Sequence, residues 1–181
     1  MLALIAATVI DLGLGYGSSG QDNVPGALAL SAAASHGGEL WSAGVRGILL
    51  RGPEGKDAVG GGASLVDLAG FRAWAILAEA QAHSRGALQL GVRVGAGLGR
   101  LVRIQQGLLD ETYAWKGPVA PSFAAALTGR VQLPISLLLG VEVGTLVLTH
   151  VSQGPNPVQN QPPAPPVVAT THVLVTLGWS H

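Results

Sequence analysis

The chain has 181 residues, a length that suits one domain over 1–181. Hydrophobic residues make up 48% and charged residues only 11%, where a typical soluble domain has about a quarter charged, so the surface is short of groups that water solvates. Ten Lys and Arg balance ten Asp and Glu, which excludes the basic field of a nucleic-acid binder, and the lack of cysteine excludes disulfides, thiolate metal sites and cysteine nucleophiles.

The opening Met1-Leu2-Ala3-Leu4-Ile5-Ala6-Ala7 has the apolar character of the tail of a signal peptide. No Lys or Arg precedes it, and residues 1–7 read equally well as a lead into the first strand. Thereafter the chain alternates with a period of two, the pattern of strands with one apolar face. The first segment sets Ile10, Leu12, Leu14 and Tyr16 against Asp11, Gly13, Gly15 and Gly17, and the second sets Leu28, Leu30 and Ala32 against Ala29, Ser31 and Ala33. In the third, Trp41, Ala43, Val45 and Leu49 oppose Ser42, Gly44 and Arg46. The fourth, over 66–82, carries Leu68, Trp74, Ile76 and Ala78 on one face and Asp67, Glu79 and Gln81 on the other, with Arg72 outward near a rim.

The fifth segment is the clearest: Leu88, Leu90, Val92, Val94, Ala96 and Leu98 alternate with Gln89, Gly91, Arg93, Gly95, Gly97 and Gly99. The sixth opposes Val119, Pro121, Phe123, Ala125, Leu127 and Val131 to Ala120, Ser122, Ala124, Ala126, Thr128 and Arg130. The seventh aligns Ile135, Leu137, Leu139, Val141, Val143, Thr145 and Val147, and the eighth Val173, Val175, Leu177 and Trp179. No stretch reaches the ~18 apolar residues of a membrane helix; the nearest, 133–151, contains Pro134, Glu142 and His150. High hydropathy without a spanning helix is the balance of a membrane barrel, in which only half of each strand is oily.

Connections alternate too. Tight turns at 35–38, 83–86 and 131–134 separate longer polar links at 18–25, 51–62, 105–117 and 152–166, which puts both termini on the short-turn side. Trp41 and Trp179 fall near one interface, Tyr16 and Phe123 near the other. The pattern as a whole resembles the small eight-stranded bacterial outer-membrane β-barrels of the OmpA, OmpX and OmpW type. The resemblance implies an all-β, antiparallel, up-and-down transmembrane β-barrel in the outer membrane, in contact with outer-membrane lipid and lipopolysaccharide. Val173, Val175, Leu177 and Trp179 resemble the family's C-terminal insertion signal for the assembly machinery, with Ser180 and His181 following the aromatic.

On this reading Leu90, Val92, Val94, Leu137, Leu139, Val141, Val143, Val175 and Leu177 face lipid. Asp11, Glu79 and Glu142 face Arg46, Arg93 and Arg130 in a lumen too narrow for an open pore, as a self-neutralising network. Arg51, Arg72, Arg100, Arg103 and Lys116 gather at the outer strand ends, among Asp22, Glu54, Asp57, Asp110 and Glu111 of the loops. His150 and Ser152 resemble the His-x-Ser pair of the lipid A 3-O-deacylases, with His150 as base and Ser152 as nucleophile. Gln153 stands where that family has Asn, and no acid follows Glu142 to orient the imidazole. The Gly91-to-Gly99 repeats lie inside a strand rather than opening a helix, the five histidines lack metal-ligand spacing, and Pro162, Pro163, Pro165 and Pro166 form a stiff loop. The expected role is structural or surface-interacting, without catalysis, metal or cofactor; the alternatives are a deacylase-like hydrolase, a narrow channel, and a soluble lipocalin-like ligand binder with its oily faces inward.

Overall fold

The computed structural model describes residues 7–19, 26–52, 66–107, 112–149 and 167–181. The strands are β1 (Ala7–Ser19), β2 (Ala27–Gly37), β3 (Trp41–Arg51), β4 (Val66–His83), β5 (Leu88–Gly107), β6 (Thr112–Lys116), β7 (Ala120–Leu133), β8 (Leu137–Thr149) and β9 (Val167–Ser180). All pairings are antiparallel between chain neighbours, except that β7 pairs with β5 rather than with β6; β9 pairs with β1, and the ring is thereby closed. Strands β6 and β7 both lie along β5 and make one stave in two pieces, so the wall is an eight-stranded up-and-down barrel. Gly117, Pro118 and Val119 separate the pieces, Pro118 having no N–H to give the ladder.

Two details differ from the sequence expectation. The segment 105–117 contains strand as well as link: β5 runs on to Gly107 and β6 pairs back onto it from Lys116 opposite Val102 to Thr112 opposite Gln106. Its polar composition conceals this, because a hairpin beyond the apolar wall needs backbone partners but no oily face. The seventh strand begins at Leu137, two residues after Ile135. Pro134–Ser136 forms a tight turn in which Ile135 has φ 64° and Ser136 φ 62°.

Alternation places the large aliphatics outward. Leu90 is 62% exposed and Val175 57%, and Val92, Val94, Leu139, Val141, Val143 and Leu177 share that wall, with Leu137 half-buried beside them. Trp41 and Trp179 are exposed at the short-turn end, Tyr16 and Phe123 farther toward the other. The ladder continues past Trp179, because Thr8 N–H donates to His181 O and His181 N–H to Thr8 O, each at 2.9 Å.

Inside, the barrel has two zones. Charged and polar groups fill the half nearer the short turns. Ile48, Leu50, Leu77, Leu101, Leu146, Leu148, Val168 and Leu174 fill the half nearer the long loops, together with Ala27, Ala29, Ala73 and Ala75. The inner face is thus not polar along its whole height, as the strand pattern had implied. Where the core is apolar, strands such as 47–50 and 145–148 are oily on both faces and the alternation disappears.

Ile135 tests the turn directly. A β-branched side chain in the left-handed region is strained by about 1–2 kcal/mol. Ile135→Gly should stabilise refolded barrel by up to that order in urea titration, whereas Ile135→Val should leave its stability unchanged.

Candidate functional site in the barrel lumen

The charged and polar groups of the lumen network come from strands round the ring: Asp11 on β1, Arg46 on β3, Glu79 and Gln81 on β4, Arg93 on β5, Thr128 and Arg130 on β7, Glu142 on β8 and His172 on β9. All are buried, Glu142 completely. Each sits on the even or odd set of its strand opposite the outward aliphatics, so the pleat aims the charges at one axis.

Glu142 is the centre. Its Oε1 accepts from Arg46 Nη2 at 2.5 Å and from His172 Nε2 at 3.1 Å, and its Oε2 accepts from Arg93 Nη1 at 3.1 Å. Arg93 then bridges downward, its Nη2 donating to Asp11 Oδ2 and to Gln81 Oε1, both at 3.1 Å. Arg130 Nη2 reaches the same Asp11 oxygen at 2.5 Å, Glu79 lies 3.7 Å from Arg93 Nε, and Gln81 Nε2 donates to Thr128 at 3.4 Å. The six charged residues named from the sequence are therefore linked, three carboxylates against three guanidiniums. The forked, always-charged guanidinium can span several carboxylates at once, which a lysine's point charge cannot.

Room for these side chains comes from glycine. A Cβ on Gly144 would lie 2.8 Å from His172 Nε2, and one on Gly140 would lie 2.8 Å from Arg130 Cγ. Below the network a cavity of about 400 Å³ opens toward the short turns, lined by Ser35, Ser42, Gln81, Gln89 and Arg130 among others. Asp11 Oδ1, the Nε atoms of Arg46, Arg93 and Arg130, and His172 Nδ1 are buried without a hydrogen-bond partner. Of these residues Arg130 lines the cavity, and buried polar atoms of this kind ordinarily bind water. Above the network Leu77 is paired with Arg46 in register, and Leu174 with Glu142, so the apolar zone begins directly on the charges.

His172 was missing from the sequence-derived network. It precedes Val173 by one position and so has inward parity, the signal that would have found it. The inward Leu146 and Leu148, adjacent to Val147, carried the same signal. Arg51 and Arg72 are exposed at the outer strand ends, and Arg100 donates through Nε to Gly117 O at 2.7 Å. The side chains of Arg103 and Lys116, and both His150 and Ser152, lie outside the described residues. Among the described residues no cluster of three His, Cys, Asp or Glu could hold a metal ion.

No protein-family model and no curated protein matches the chain. Solved structures do. Neisserial surface protein A (NspA) has a TM-score of 0.60 at 11% identity, covering 96% of this chain and 96% of that one. Ail, the attachment invasion locus protein of Yersinia pestis, has a TM-score of 0.61 at 10% identity, covering 97% and 99%. Ail in complex with the heparin analogue sucrose octasulfate has a TM-score of 0.52 at 12% identity, covering 97% of each chain. The fold is that of the small eight-stranded outer-membrane β-barrels. In a barrel of eight strands the lumen is an interior to be packed, and here ion pairs and leucines pack it.

A buried carboxylate that loses its charge leaves its partners stranded, at about 3–5 kcal/mol. Glu142→Gln should destabilise refolded barrel by that order in urea titration, through Arg46, Arg93 and His172 together. Glu39, exposed and paired with exposed Arg85 at 3.2 Å, is the control: Glu39→Gln should change stability by less than about 1 kcal/mol.

Proposed function

We propose that the chain is an integral protein of the bacterial outer membrane with a structural or surface-interacting role and no chemistry of its own. The observation that carries this reading is the combination of an apolar outer wall with a lumen closed on its own axis. Leu90, Val92, Val94, Leu137, Leu139, Val141, Val143, Val175 and Leu177 make the lipid contact. Val173, Val175, Leu177 and Trp179 on β9 serve as the signal that the assembly machinery reads. The surface role falls to the long connections after Ser18, Arg51 and Ser152 and to the β5–β6 hairpin, and outer-membrane lipid and lipopolysaccharide are the immediate partners.

The rival readings have less support. Conduction needs a continuous wet path, and Leu50, Leu146, Leu148 and Leu174, at 0–2% exposure, stand across it as an apolar constriction that excludes water. A soluble ligand binder needs its oily faces inward, opposite to the exposed aliphatic wall. A hydrolase using His150 and Ser152 needs an acid to orient the imidazole. The last acid in the chain, Glu142, is engaged by two arginines and His172 in the lumen.

The membrane reading predicts that protein refolded into vesicles shifts mobility on heating and leaks no small ions above the vesicle background. Val141→Arg, near the middle of β8, should cost about 2–4 kcal/mol in lipid vesicles; an unchanged urea midpoint would remove Val141 from the lipid face. Serine-dependent shortening of lipid A, lost in Ser152→Ala, would overturn the non-catalytic role.

A further inference from the structure

The barrel mouth at the short-turn end carries more polar side chains than its own packing uses. The cavity of about 400 Å³ there is lined by three different arcs of wall. Gln81, Gln89 and Gln132 come from the adjoining strands β4, β5 and β7, and Ser35 and Ser42 from the paired strands β2 and β3. Ala7, Val9 and Leu138, on β1 and β8 at either side of β9, make an apolar arc. Arg130 joins the cavity to the charge network.

These polar groups are not consumed within the chain. Ser35 and Ser42 are 7% and 8% exposed, yet neither hydroxyl has a hydrogen-bond partner among the described residues, and neither do the side-chain amides of Gln89 and Gln132. Arg130 Nε is buried and unpartnered as well. Packing alone does not call for the hydroxyls, since Ala29 and Ala33 fill inward positions on the same strand β2. Gln81, by contrast, is fixed in place, accepting from Arg93 at 3.1 Å and donating to Thr128 at 3.4 Å. The charges are balanced. Arg130 is paired with Asp11, Arg85 at the rim with Glu39, and His83 turns Nδ1 toward Ser84 O at 3.4 Å. A charged ligand would meet no unanswered counter-charge on this lining. Amides and hydroxyls both donate and accept, so the spare capacity suits a neutral ligand rich in groups that do the same.

We propose that this cavity is a binding site for a neutral saccharide of mono- or disaccharide size. Its hydroxyls exchange hydrogen bonds with Ser35, Ser42, Gln89 and Gln132, one sugar oxygen accepts from Arg130 Nε, and the C–H face of the ring lies on Val9 and Leu138. The volume is within the range of small-molecule sites, which combine apolar lining with a few placed polar groups. A short peptide fits less well, because its charged ends find no free partner. The site lies at the opposite end of the barrel from the long connections, and so adds a function that their surface role does not contain. That the mouth faces the periplasm follows from the membrane reading; the site itself stands on the lumen geometry.

The test is saturation-transfer NMR on the full chain refolded in a phosphocholine detergent, which has no sugar head group to compete. The probes are glucose, galactose, N-acetylglucosamine, maltose and lactose, with glucuronate and glucosamine as charged counterparts and triglycine as the peptide. At least one neutral sugar should bind with millimolar or tighter Kd, and about tenfold more tightly than either charged sugar or triglycine. Gln89→Leu with Gln132→Leu should weaken that binding by about tenfold through lost hydrogen bonds. Ser42→Leu, which puts a bulky apolar side chain into the cavity, should abolish it. Both variants should keep heat-modifiable mobility, which separates lost binding from lost folding. Should Ser42→Leu fail to fold, Ser35→Ala with Ser42→Ala removes the hydroxyls at nearly constant volume and should weaken binding by the same factor as the glutamine pair. Absence of binding by every neutral sugar, equal or tighter binding of a charged sugar or triglycine, or equal binding by wild type and folded variants overturns the site. Sugar binding by a chain that never enters vesicles upholds the site and refutes the membrane reading, so the two fail separately.

Discussion

Closure of the sheet is the constraint from which the remaining features follow. With β9 paired to β1 and β4 to β5, no wall strand is left as an open edge along its paired length. Along those paired lengths the strands take their hydrogen-bond partners from one another within the wall, the condition for crossing hydrocarbon with strands. Closure at eight strands also fixes the bore, which is only wide enough for side chains. Whatever points inward must therefore pack, and whatever points outward must suit the surroundings. The period-two pleat assigns each residue to one of those duties.

Arginine and glycine solve the packing problem in the half nearer the short turns. A long guanidinium from one strand crosses the bore and meets a carboxylate from another, and inward glycines such as Gly140 and Gly144 make the space for it. The network so formed ties distant strands together: Arg46 and Glu142 are 96 residues apart in sequence, and Arg130 and Asp11 are 119 apart. Buried ion pairs add little net stability against well-packed hydrocarbon, but misplacing one is expensive. Their energetic effect is to penalise any register slip, since moving one strand by a residue would turn its charge out to the oily wall. In the other half leucines do the filling, and there the barrel is a hydrocarbon core between two layers of wall.

How much of this was legible follows from the same physics. Strand number, turn parity and the facing of Leu90, Val92, Val94 and their neighbours could be read because one face was oily and the other small or charged. Asp11, Arg46, Arg93, Arg130, Glu79 and Glu142 stood out as charges at positions of inward parity. The apolar plug could not be seen by that contrast. Ile48 and Leu50 lie inside and Leu49 outside, all three aliphatic, so the pattern there is silent about facing. The β5–β6 hairpin was hidden for the opposite reason, being polar where the alternation rule looks for apolar residues. Ile135 was misread as the start of β8 because apolar parity extended across a turn whose backbone takes left-handed angles.

The fold tolerates wide change in sequence because alternation and closure specify it and few individual side chains do. The same tolerance shows where function is to be sought. At most outward positions any large apolar residue would serve, and at most inward ones any side chain that fits and is paired.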